Sequence, residues 1–99
     1  MPAQFDVYRT VVGSIALLLP HPLLDGLPVW PAAMLRPADT YGPSFRHLEP
    51  IITSGDMRLV LSPYFLVSLA PGELGEHLFN ASHQRDEIIR AFDVLLTGV

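Results

Sequence analysis

The residues best suited to chemistry are four histidines, His21, His47, His77 and His83, set among ten carboxylates. Zinc needs three or four converging ligands. No two of these histidines stand at i and i+4, no cysteine can join them, and none lies in a carboxylate cluster. No metal site is expected, and no cofactor. Ser14 in "VVGSIA" lacks the G-x-S-x-G turn of a nucleophile elbow, and nothing in the spacing brings a serine, a histidine and an aspartate together. Asp86 and Glu87 are adjacent, and neighbours on a helix point about 100° apart. They read as the solvated first turn of a helix, with His83 part of its start. No glycine loop able to cradle a phosphate is present. Trp30, Tyr8, Tyr41, Phe45, Tyr64, Phe65 and Phe79 could stack on bases. Without basic residues between them, core or interface packing is the better reading.

Composition narrows the functional classes. Ninety-nine residues make one domain, taken as residues 1–99. Apolar residues are 49% and charged residues 16%, a surplus of apolar surface that points to a homodimer. The net charge is −4, and all six basic residues are arginines, scattered along the chain. Nucleic-acid binding begins with phosphate neutralisation, so a protein partner is expected instead. There is no cysteine and hence no disulfide framework. No signal peptide is recognisable, and the longest apolar run is far short of the roughly 20 residues that cross a bilayer. A cytoplasmic protein is expected.

The elements that must position any site follow from periodicity. "QFDVY" alternates, Phe5 and Val7 one way and Asp6 and Tyr8 the other, which is a strand. "SIALLL" suits a strand buried on both faces or one that faces a dimer partner. Residues 20–28 hold three prolines and read as a loop carrying Leu23 and Leu24. "VWPAAML" is a short strand that Pro31 should confine to an edge or a bulge. Residues 36–50 read as an irregular loop or ragged hairpin. "PIIT", "SGD" and "MRLVLS" form strand, tight turn and strand. Pro63 interrupts, and "YFLVSL" resumes as another strand. Pro71 and Gly72 suit a type II turn. From Ser82 to Leu96 the period becomes helical, with Ile88, Phe92, Leu95 and Val99 on one stripe. Asn80 or Ser82 can cap the start, and Gly98 suits the stop. A small antiparallel sheet or partly open barrel with one C-terminal helix is expected.

These short patterns, in this order, resemble the CcdB toxins of toxin–antitoxin modules. "QFDVY" looks like the opening strand of the family, "LLDG" at residues 23–26 its loop, "VWP" at residues 29–31 its "VIP", and "PIITSGD" at residues 50–56 its hairpin. The register from residue 50 onwards also matches Gly75, Glu76, Ser82, His83, Ile88, Ala91 and Gly98. The resemblance implies an SH3-like, partly open antiparallel barrel with one C-terminal helix, forming a homodimer. It implies a non-catalytic toxin that binds the A subunit of DNA gyrase, a type II topoisomerase, and traps its cleaved-DNA complex. A cognate CcdA-type antitoxin would neutralise it, its disordered tail folding as it binds.

Carried over by position, the target-binding residues are Leu23, Leu24, Asp93, Leu96, Thr97, Gly98 and Val99. Two positions depart from the plasmid-type pattern. Thr97-Gly98-Val99 stands where those toxins end in Trp-Gly-Ile, and Asp93 where they carry asparagine. Loss of an aromatic anchor commonly costs about 2 kcal/mol, or about thirtyfold in affinity. The alternative expectation is therefore a protein of the same fold with lost or altered gyrase activity. An endoribonuclease of the MazF type shares the barrel, but its opening proline–arginine–glycine–aspartate segment is absent from this chain.

Overall fold

The computed structural model describes residues 2–20, 28–38 and 48–98. They form six strands and one helix: β1 (Asp6–Thr10), β2 (Ile15–Leu18), β3 (Trp30–Pro37), β4 (Ile51–Ser54), β5 (Met57–Leu69), β6 (Leu74–Asn80) and α1 (Arg85–Thr97). The strands make one antiparallel sheet, in the order β4-β5-β3-β2-β1-β6, curled into a half-barrel. This is the mainly β architecture with a C-terminal helix that the sequence led us to expect.

Alternation explains how the sheet is filled. Val7, Leu17, Ala33, Leu35 and Leu61 point to one face and form the main core with Ile52 and Ile88. Ala16, Leu18, Ala32 and Leu69 point to the other, under Tyr8, Trp30, Met34 and Val67. β2 is thus buried on both faces, the first of the two readings its unbroken apolar run allowed. The β4–β5 hairpin closes through Gly55 and Asp56, with Gly55 at φ 57°, a conformation open to glycine without steric cost.

Several expectations need correction. Pro31 does not lie at an edge: β3 runs between β2 and β5 in the middle of the sheet, and the bulge in its ladder with β5 falls at Ala33 and Met34 rather than at Pro31. The Pro31 carbonyl accepts from Leu19 N–H at 3.0 Å, but proline cannot return the bond. The Gln4 side-chain amide fills the gap, donating to the Leu19 carbonyl at 3.1 Å. Pro63 does not end a strand either. β5 runs through it for 13 residues, and the break is absorbed in register. Ala33 pairs with Leu66 while Met34 pairs with Ser62, so residues 63–65 bulge from the ladder. A bulge is where a residue lacking an N–H does least harm.

Pro71 and Gly72 form a 3-10 turn (Pro71–Glu73) rather than a type II turn, and Gly72 is not among the glycines with positive φ. β6 is a strand that no pattern in the sequence announces. Residues 36 and 37 belong to β3, while most of the expected 36–50 loop, including Tyr41, Phe45 and His47, lies outside the described residues. So do His21 and the loop bearing Leu23 and Leu24.

The expected helix start at Ser82 is a 3-10 turn (Ser82–Gln84), and α1 proper begins at Arg85. Neither Asn80 nor Ser82 is the N-cap of α1, which is Gln84; the Asn80 Oδ1 accepts from Ser82 N–H at 2.9 Å in a local turn ahead of it. His83 and Gln84 do something else. Gln84 accepts from Thr53 N–H at 2.7 Å and donates to the Ile51 carbonyl at 2.9 Å. His83 Nε2 lies 2.8 Å from the Thr53 carbonyl. Together they cover the outer edge of β4, where unpaired backbone groups would otherwise offer a template to another strand.

Candidate target-binding surface

α1 is built to show its far end. Its fully buried residues, Ile88 and Ala91, both lie in its first half. Phe92 and Leu95 are half-buried, which puts the predicted stripe on the core side. Asp93, Leu96, Thr97 and Gly98 are all exposed, and Leu96 is 79% exposed. Four of the seven predicted target-binding residues therefore gather at one helix tip. Leu23, Leu24 and Val99 lie outside the described residues.

Local chemistry fixes the shape of this tip. Gly98 takes the left-handed conformation at φ 75°, and its N–H donates to the Val94 carbonyl at 2.8 Å. This is the glycine stop read from the sequence. The Thr97 hydroxyl donates back to the Asp93 carbonyl at 2.7 Å. That bond occupies the donor of Thr97. Asp86 and Glu87 oppose the positive end of the helix dipole, but the last turn holds no basic residue. With Asp93 nearby, the tip is an uncompensated negative end. Ile89, four residues before Asp93 and 36% exposed, adds apolar area on the same side. Its spacing to Asp93 and Leu96 is a signal visible in the sequence, where it counts only among the apolar residues of the helix.

Two polar clusters go beyond the sequence-based expectations. The first surrounds Asp6, read from the sequence only as pointing to the face opposite Phe5 and Val7, and buried in the structure. Its carboxylate accepts from Ala3 N–H at 2.7 Å and from the Asn80 amide at 2.9 Å, and pairs with His77 Nε2 at 3.0 Å. Burial pushes this carboxyl up. The Asn80 and Ala3 bonds and the bond and charge of His77 outweigh it, leaving the group below the ordinary aspartate value. Burial and then the Asp6 charge push the Tyr8 phenol up, with the Tyr8 and His77 rings edge to face.

In the second cluster Glu49, fully buried, pairs with Arg36 at 3.3 Å and accepts from the Ser62 and Tyr64 hydroxyls. Ser62 and Tyr64 flank Pro63, so this cluster pins the β5 bulge. No local pattern hints at it, because its partners are 13 to 26 residues apart. A groove of about 280 Å³ between the β1–β2 turn and β5, lined in part by Val11, Val12, Met34 and Val67, includes none of the predicted target-binding residues. Among the described residues, no three histidines, aspartates or glutamates group as metal ligands.

Comparison with known proteins agrees with the fold. A mycobacterial protein described as "Endoribonuclease from Mycobacterial species" superposes with a TM-score of 0.80 over 96% of this chain and 90% of its own, at 16% identity. At that identity the likeness is one of fold. No curated protein sequence matches the chain. The family described as "CcdB protein" matches residues 4–98, nearly the whole length. From the opening "QFDVY" strand to the glycine that stops α1, this chain belongs to the CcdB family.

Proposed function

We propose that the chain is the toxin of a toxin–antitoxin pair. It binds the A subunit of DNA gyrase through the tip of α1 and traps the enzyme with its DNA cleaved. The toxin acts as a homodimer in the cytoplasm, without catalysis of its own, and a CcdA-type antitoxin removes it. The observation that carries this reading is the exposed tip itself. Asp93, Leu96, Thr97 and Gly98 project together at the end of a chain that matches the family over residues 4–98. The negative end of α1 favours a cationic group on the partner, and Leu96 supplies apolar area beside it.

A cleavage assay tests the proposal. Purified protein with gyrase from its own host should accumulate cleaved DNA at micromolar concentration, and the absence of cleaved DNA would sink the reading. Thr97 favours a second reading, a binder of the same fold with weakened grip on gyrase. Its hydroxyl is turned onto the Asp93 carbonyl, so it offers a partner neither a ring nor a free donor. Thr97→Trp should then raise potency by about thirtyfold. No gain from this variant, alongside an active parent, would show that the aromatic anchor is dispensable here. The structural neighbour is named an endoribonuclease, so the same preparation should be offered RNA. Cleavage that follows the protein through purification would replace the non-catalytic reading.

A further inference from the structure

Among the described residues, Phe5 is the only non-glycine with positive φ, at 68°. A bulky side chain is strained there and stays only where its surroundings over-determine it. At Phe5 they do. Its N–H donates to the Leu18 carbonyl at 2.7 Å, and its carbonyl accepts from Ala81 N–H at 2.9 Å. Its ring is buried in the main core. The Gln4 carbonyl accepts from the Asn80 amide at 3.1 Å, and Gln4 Oε1 accepts from Arg85 Nη1 at 3.2 Å. The Arg85 guanidinium sits 5.6 Å from the centre of the Phe5 ring. Gln4 and Phe5 thus hold the last residue of β6, the residue that follows it and the first residue of α1.

Besides this turn, the helix is held by the Gln84 and His83 bonds to β4 at its start and by the packing of Ile88, Ala91 and Phe92. Ile88 and Ala91 are its only fully buried residues, and its outer half ends in solvent. We propose that the strained turn at Gln4 and Phe5 is a latch on the root of α1, which makes the helix a unit that opens and closes on the sheet separately from the rest of the fold. Arg85 and Phe5 are then positioning residues for a tip about 18 Å away along the helix. Opening of α1 breaks the Arg85 contacts but leaves the Phe5 bond to Leu18 and the sheet core in place, which favours local over global unfolding. The latch bears on the binding surface described above but does not depend on what that surface binds.

Native-state hydrogen exchange on the free, full-length protein tests it. Arg85→Met keeps an apolar stem over the ring but removes the cation and the donor to Gln4. Arg85 is exposed, so the sheet should fold unchanged. In this variant the amides of Ile88, Ala91 and Val94 should exchange roughly five- to tenfold faster, while those of Leu17 and Ala33 stay within about twofold. Arg85→Lys, which returns a cation to the ring, should recover most of the protection. Equal acceleration in sheet and helix, no acceleration in α1, or no recovery with lysine would each overturn the latch. Helix-selective acceleration in a protein that leaves gyrase untouched would keep the latch and remove the target.

Discussion

Asp6 shows how far a single residue can depart from what its neighbours in sequence suggest. Alternation in "QFDVY" correctly sends Phe5 and Val7 to the core, and it equally sends Asp6 to the other face. What it cannot reveal is that Ala3, His77 and Asn80 converge there, two of them more than 70 residues away. The consequence is measurable. Because the folded carboxyl lies below its ordinary value, the native state favours the ionised form. That stabilisation is complete above the unfolded value near pH ~4 and is lost as pH falls through the lower folded value. His77 faces Asp6 from β6, and Tyr8, beside it on β1, meets the His77 ring edge to face. Stability of the parent should therefore fall more steeply below pH ~4 than that of Asp6→Asn, with the gap between the two curves steady near pH ~5. Parallel curves down to pH ~2 would mean that Asp6 does not carry this part of the acid response.

At the scale of elements, what was legible is what a local pattern writes. β1, β2, the hairpin around Gly55 and the helix ending at Gly98 each have a period or a stop residue. β6 has neither. It is an edge strand with exposed Gly75, Glu76 and His77. Gly75 is needed there because a Cβ would come within 2.6 Å of the Arg9 carbonyl oxygen, a demand set by β1 and invisible in the residues around it. Pro31 and Pro63 misled for the same reason: Gln4 and the β5 bulge compensate from elsewhere in the fold. The opposite edge, β4, is protected by side chains rather than by charge. Gln84→Ala should remove both its bonds to Ile51 and Thr53 and lower stability by about 1–2 kcal/mol, a fall of roughly 4–15 °C in Tm. It should also increase self-association on heating, since the edge is then open. An unchanged Tm would show that water replaces Gln84 at no cost.

The whole molecule raises the question of what covers its apolar surface. Val11, Val12, Tyr64, Phe65, Leu66 and Leu96 are all at least half exposed on a chain whose accessible surface is 5935 Å². A stable dimer of ordinary size buries about 800 Å² on each partner, a small fraction of that total. The net charge of −4 opposes association, but such repulsion between exposed charges is screened over about 10 Å at moderate salt. The apolar residues have no such opposition. A homodimer should therefore be the main species at micromolar concentration, with a sedimentation mass twice the 10.9 kDa of the chain. It should tighten slightly as salt rises, because screening removes like-charge repulsion and leaves apolar burial intact. A monomer across this range would leave those side chains for an antitoxin or a target to cover. The tip of α1 would then act singly rather than as one of a pair.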